Sequence, residues 1–251
     1  LIALWKNYIR RGKIVPYVTG FLEIGFSQYG PTLAIDGTLR GINRDVFVKS
    51  AKILLTNNND SSKHEFEWLA FRPYRIPLVP TSAGEHFIET ASGFMVTPNE
   101  PKRICIFFSD SQTRQEIQRH LNVASNAFWS LRLNFTYRVL DQIRLIDQSQ
   151  VLEIRNRLAD EYRQDSRHVS AYTEIDRIFY WRPGTYTLEL QIYSAKPDKT
   201  FSEKWVIQIT QEQTQQLRLN TINMLDALLY SDANLNPPVP FFAYVAYNEI
   251  C

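Results

Sequence analysis

An alternation constrains this chain more than any other feature. Across Thr185–Ile192, Tyr186, Leu188, Leu190 and Ile192 share one parity, and Thr185, Thr187, Glu189 and Gln191 share the other. Successive side chains leave an extended backbone on opposite faces, so the pattern calls for a half-buried strand. The run Trp205–Ile209 repeats it, with Trp205, Ile207 and Ile209 in phase. The intervening AKPDKTFSE carries the Pro, Asp and Lys of a hairpin loop. The chain is therefore read as a β-fold built around this hairpin.

Upstream, Leu22, Ile24 and Phe26 alternate with Glu23, Gly25 and Ser27 inside Lys13–Tyr29, a first strand that Gly30-Pro31 breaks. Leu33, Ile35 and Leu39 mark a second. VFVKSAKILLT (Val46–Thr56) is a third, and its alternation slips around Lys49–Ala51 as at a β-bulge. After the polar loop Asn57–Lys63, HEFEWLAFR (His64–Arg72) points Phe66 and Trp68 inward. Pro73–Gly84, with its prolines, reads as a crossing segment rather than a strand. Phe87–Val96 and Arg103–Phe108 follow. ICIFF is apolar on both faces, which predicts a central, covered strand. At least eight short β-segments with turns between them point to a sandwich or barrel.

The period changes after Ser109. Ile117, Leu121, Ala124, Phe128 and Leu131 form a helical stripe, and Thr113 with Glu116 makes a capping-box pattern ahead of it. Residues 133–146 suit strand and helix equally. Gln150–Asp165 is helical again, through Val151, Ile154, Leu158 and Tyr162. Thr210 with Gln213 is expected to cap a further helix, Gln211–Leu229, anchored by Leu217, Met224, Leu225 and Leu228. Asn234–Pro240 is a proline-rich linker, and FFAYVAYNEIC is too apolar for a loose tail.

These segments predict one β-sandwich from 14–110 and 176–210. A mostly helical insertion, 111–175, lies against its edge or end, and 211–251 adds a helix, a linker and an apolar tail. Residues 1–13 are read separately. Leu1-Ile2-Ala3-Leu4-Trp5 precedes Lys6, Arg10, Arg11 and Lys13, which resembles the cytoplasmic exit of a membrane helix; a short amphipathic helix folded on the domain is the alternative.

Pro183-Gly184-Thr185-Tyr186-Thr187-Leu188 resembles the strand opening of immunoglobulin-like sandwiches, where a turn precedes a corner tyrosine. The resemblance implies that the Tyr186 hydroxyl bonds back to the main chain and that Trp68 is the core tryptophan. Leu188 stands where antibody-type domains have a cysteine. The resemblance covers about fifteen residues at the level of a superfold and carries no function.

Composition narrows the functional classes. A hydrophobic share of 44% excludes global disorder, and a net charge of +2 gives no field for nucleic acid. Two cysteines, Cys105 and Cys251, make no disulfide framework and favour a reducing compartment. No Walker loop, G-x-S-x-G, H-E-x-x-H or paired C-x-x-C occurs, and His64, His86, His120 and His168 are far apart in sequence. No catalytic residue, cofactor site or metal site is assigned.

The nearest polar constellation is His64-Glu65-Phe66-Glu67, where Glu65 and Glu67 fall on one strand face, better read as solvated than as a carboxylate pair. Cys105 lies within an apolar strand, which suits an inert thiol. Phe179, Tyr180 and Trp181, flanked by Arg177 and Arg182, fit a core edge with snorkelling arginines better than a stacking platform. Asn59-Asp60-Ser61 and Asn134-Phe135-Thr136 match the glycosylation sequon, which matters only in an exported eukaryotic protein.

The expectation is a non-enzymatic interaction or structural module. It would meet a protein partner or a second copy through the helical insertion or the 241–250 tail. It would sit on the cytoplasmic side of a membrane, attached by a segment upstream of Leu1. The alternatives are a ligand-binding sandwich and an enzyme whose site is assembled from distant residues, with His64, Glu65 and Glu67 as first candidates.

Overall fold

In the computed structural model, the residues described are 12–71, 89–140, 148–196, 198–232 and 240–249. The basic N-terminal stretch through Arg11, the crossing segment Pro73–Gly84, residues 141–147 and the linker at 233–239 lie outside them, as does Cys251.

The strands are β1 (Lys13–Val18), β2 (Phe21–Ser27), β3 (Gly30–Ile42), β4 (Val46–Asn57), β5 (Lys63–Phe71), β6 (Glu89–Thr90), β7 (Phe94–Val96) and β8 (Lys102–Ser109). Later come β9 (Gly184–Lys196), β10 (Asp198–Ile209), β11 (Phe242–Ala246) and β12 (Asn248–Glu249). Between β8 and β9 run α1 (Ser111–Leu140), α2 (Gln148–Gln164) and α3 (Ser166–Ile178), and α4 (Gln211–Asp232) follows β10. No described helix is long and apolar enough to cross a membrane.

The molecule is mainly β, and every described strand belongs to one antiparallel sheet of twelve, in the order β11-β2-β3-β8-β5-β4-β9-β10-β12. β1 pairs with β3, β6 with β5 and β7 with β4. The pairings do not split into the two sheets that a sandwich requires, because β8 bonds both β3 and β5 while β4 bonds both β5 and β9. The sheet instead curls into a half-barrel. Alternation says which residues point inward; it is silent on whether a twisted sheet folds in two or bends round on itself.

The inward face is the expected one. Leu22, Ile24, Phe26, Leu33, Ile53 and Leu55 are fully buried, as are Tyr186, Leu188, Leu190 and Ile192, and Ile53 lies beside Leu190 and Leu55 beside Leu188. In the long hairpin β9–β10, Trp205 lies beside Leu188 and Ile207 beside Tyr186. The slip expected at Lys49–Ala51 is present, since the β4–β9 register shifts between Phe47 and Ser50. β8 is central and covered, with Ile104, Ile106, Phe107 and Phe108 all buried. What reads as one opening strand, Lys13–Tyr29, is a pair, β1 and β2, separated at Gly20, which takes φ 73°. The break before Pro31 is the Gln28–Tyr29 turn, closed by Gly30 at φ 78°. A side chain on Gly30 would meet the Arg114 backbone of α1, so the glycine serves both the turn and the close approach of the helix.

The helices gather over the end of the curl where β2, β4, β8 and β10 finish and β3, β5 and β9 start. α1 lies against β3, and α4 against β2 and β11. Their inward residues Ile117, Ala124, Phe128, Tyr162, Ile175 and Leu217 join the sheet interior in one continuous core. A short amphipathic helix is marginal alone, and this shared burial stabilises all four. α1 is helical through Leu140, so the part of 133–146 that is described takes the helical alternative.

Candidate functional site

The candidate residues that follow all lie among the described ones. Tyr186 makes the corner its surroundings predict: its hydroxyl donates to Arg182 O at 2.9 Å and accepts from Arg182 N–H at 3.0 Å. Trp68 is not the core tryptophan. It is half-buried, edge-on to Phe71 and Phe94, because a register shift beyond Trp68 turns Phe71 toward the same side. The buried indole is Trp181, 1% exposed, which donates to Gly25 O at 3.1 Å and packs near Phe66 and Tyr186. Phe179 meets Phe26 edge-to-face at 4.9 Å. The Phe179–Trp181 stretch thus forms core where the helices meet the sheet, with Arg182 exposed beside it.

Glu65 and Glu67 lie on the outer face of β5, where Glu65 meets Lys52 of β4 at 3.1 Å. His64 points the other way. Its ring stacks on Tyr180 with centroids 3.6 Å apart, and the Tyr180 hydroxyl reaches 3.5 Å from Asp110 Oδ2. Burial holds His64 below its ordinary value against the opposing pull of Asp110 and Asp60. Burial, reinforced by Asp110, pushes the Tyr180 hydroxyl well above its own.

Asp110 is already committed. It caps α1, accepting from Thr113 N at 3.0 Å and from the Thr113 hydroxyl at 2.8 Å. The helix therefore starts one turn earlier than the Thr113–Glu116 pattern predicts. The three groups join β5, the β8–α1 corner and the approach to β9. With a neutral imidazole face-on to a protonated phenol, the junction holds three elements together and presents no nucleophile paired with a base. Cys105 is half-buried in β8.

A second polar group lies among the helices. Asp226 of α4, 5% exposed, accepts from Arg163 of α2 at 2.9 and 3.0 Å, while His168 Nε2 of α3 stands 3.6 Å from its other oxygen. The Tyr162 hydroxyl donates to Leu225 O at 2.9 Å. Burial pushes the Asp226 carboxyl up, but His168 and Arg163 more than offset it, so it lies below its ordinary value. Three helices converge on this carboxylate, a gap that neither the caps nor the stripes in the sequence reveal.

Inside the curl, the crevice between β1 and the β9–β10 hairpin, lined by Ile14, Pro16, Leu190, Ile192 and Phe201, measures about 10 Å³, room for one water at most. No cluster of three or more metal-ligating side chains occurs among the described residues.

The 241–250 tail is engaged within its own chain. β11 pairs with β2 and β12 with β10, Trp205 contacts Tyr247 at 5.7 Å, and Asn220 of α4 holds Phe241 through its N–H and C=O. Apolar surface instead remains on the helices. On α3, Val169 and Tyr172 are exposed; on α4, Leu219 and Ile222 are exposed. The Arg218–Asp176 pair, 2.6 Å at its second contact, crosses the seam between those two faces. At spacings of three and four, Val169, Tyr172 and Asp176 share one helix face, as Arg218 and Ile222 share another, so the pair links the two faces. Compared with protein-family models, curated proteins and solved structures, the chain matches none.

Proposed function

We propose that this chain is a non-enzymatic interaction module that docks a protein partner on the α3–α4 face, on the cytoplasmic side of a membrane. The reading rests on one observation: Val169, Tyr172, Leu219 and Ile222 are exposed apolar side chains on two adjoining helices joined by the Arg218–Asp176 pair. Exposed apolar side chains on adjoining helices are what a docking face presents to a partner. The basic residues Lys6, Arg10, Arg11 and Lys13 after Leu1–Trp5 support attachment by a segment before Leu1. The immunoglobulin-like resemblance of the Tyr186 corner adds an architectural parallel and no partner.

Cross-linking followed by mass spectrometry on the intact protein in its own cells tests the docking face. A partner cross-linked within α3 or α4 is expected in the wild type, and its yield should drop sharply in Tyr172→Ser/Leu219→Ser. An equal yield from both proteins sinks the assignment. Sedimentation velocity on the purified chain separates a second copy from a different partner. For the membrane side, intact protein that stays in the soluble fraction at low salt overturns the attachment.

A further inference from the structure

We infer that His168 and Asp226 form a clasp between α3 and α4 that a proton closes. The two helices run antiparallel and are crossed twice: Asp176 meets Arg218, and eight residues away on each helix His168 meets Asp226. The first crossing is a finished ion pair with two bonds. The second is open. His168 and Asp226 are 8% and 5% exposed, and the imidazole Nε2 stands 3.6 Å from the carboxylate Oδ1. Neither atom has a hydrogen-bond partner among the described residues, and the separation is too long for an N–H···O bond.

The groups facing the imidazole are engaged elsewhere. From α2, Arg163 gives both of its bonds to Asp226 Oδ2, and Tyr230 of α4 lies near it. The Tyr162 ring meets the imidazole edge-on at 4.5 Å, but its hydroxyl is spent on Leu225 O. Asp165, at the corner between α2 and α3, is held by Arg167.

A desolvated carboxylate oxygen facing a desolvated ring nitrogen with no proton between them is the costly arrangement. A proton on Nε2 makes that nitrogen a charged donor, and a bond of about 2.7–2.9 Å then draws the helices together. Histidine is the side chain that changes charge between about pH 5 and 8. Burial pushes the Asp226 carboxyl up, yet His168 and Arg163 hold it below its ordinary value, so it stays ionised throughout that window. One proton on one ring therefore sets the gap. Val169 and Tyr172 follow His168 on α3, so, if the docking reading above holds, acidification fixes the face that meets the partner.

The test uses the 251-residue chain with its histidine rings labelled with nitrogen-15. Long-range proton–nitrogen NMR spectra follow the His168 ring from about pH 5 to 8, and amide spectra follow residues 167–172 and 222–229. The ring is expected to take up a proton in that range, and the amides of both helices to move with the same midpoint. In His168→Gln those movements should vanish while those around His64 and His120 persist. Amide exchange read by mass spectrometry reports the clasp itself. Wild type and His168→Gln are compared at the same pH, which cancels the pH dependence of exchange chemistry. The extra protection of α3 in wild type should fall about tenfold or more on going from acid to alkaline pH across this window. A ring that does not titrate there overturns the inference, as does one that titrates while the helix amides stay still. A protection ratio that is the same at both ends also overturns it and leaves His168 a packing residue. The titration needs no variant, so it decides the matter even if His168→Gln fails to fold. No partner enters either measurement, so the docking reading stands or falls separately.

Discussion

One hydroxyl sets the start of the longest hairpin. Tyr186 both donates to and accepts from the Arg182 backbone, fixing how the chain leaves the helices and enters β9. Tyr186→Phe keeps the ring and strands both backbone groups, so about 1–2 kcal/mol of stability should be lost. Tyr186→Ala also empties a fully buried site and should cost about 3–5 kcal/mol. Urea denaturation checks both, and a neutral Tyr186→Phe would show that the corner is not structural. This bond is the one implied by the resemblance of Pro183–Leu188 to an immunoglobulin-like corner, and its turn and tyrosine are local in sequence. The identity of the buried tryptophan could not be read. Trp68 has the right strand phase, yet a bulge beside it tilts it out, while Trp181 reaches the core from a segment with no periodicity to read.

Among the elements, the buried carboxylate of Asp226 links three of the four helices. Asp226 receives Arg163 from one helix and faces His168 from another, and its carboxyl is held below the ordinary 3.8. As pH falls, the unfolded chain takes up this proton before the folded one. The stability from Asp226 is thus complete above the ordinary value and disappears as pH drops through the lower folded value. Asp226→Asn should weaken the fold by about 1–3 kcal/mol at neutral pH. It should also flatten the acid limb of the stability curve below about pH 4 relative to wild type. Parallel curves for the two proteins would place the acid sensitivity elsewhere. The ends of these helices were partly legible. Thr210 and Gln213 bond reciprocally as their spacing predicts, at 3.2 and 2.9 Å. At α1 the same reasoning chose Thr113, but Asp110 takes the cap, accepting from both the Thr113 N–H and the Thr113 hydroxyl.

For the whole molecule, the eight-residue ribbon Phe242–Glu249 matters most. The two ends of the hydrogen-bonded path are β11 and β12, with Tyr247 alone between them in sequence, so the ribbon ties the β2 edge to the β10 edge. Deleting residues 241–251 should bare both edges. The truncated chain is expected to lose its single cooperative melt and to associate as its concentration rises, seen by calorimetry and sedimentation velocity. A monomeric truncation with a sharp transition would show that the curl holds without its tie. The apolar character of this stretch signalled docking, but its register could not be read, because its partners Glu23 and Trp205 lie far apart in the chain.

The ribbon also sets an order of events during synthesis. Every other described strand leaves the ribosome before Phe242, so the nascent sheet waits with two open edges until its last segment arrives. At roughly 5–20 residues per second, that interval is several seconds for the stretch from β10 onward. During it, the edge that will take Trp205–Val206 against Asn248–Glu249 is available to any strand nearby. A cell making this protein would then need its chaperones most while Phe242–Glu249 is being made, when nearly all of the core already exists.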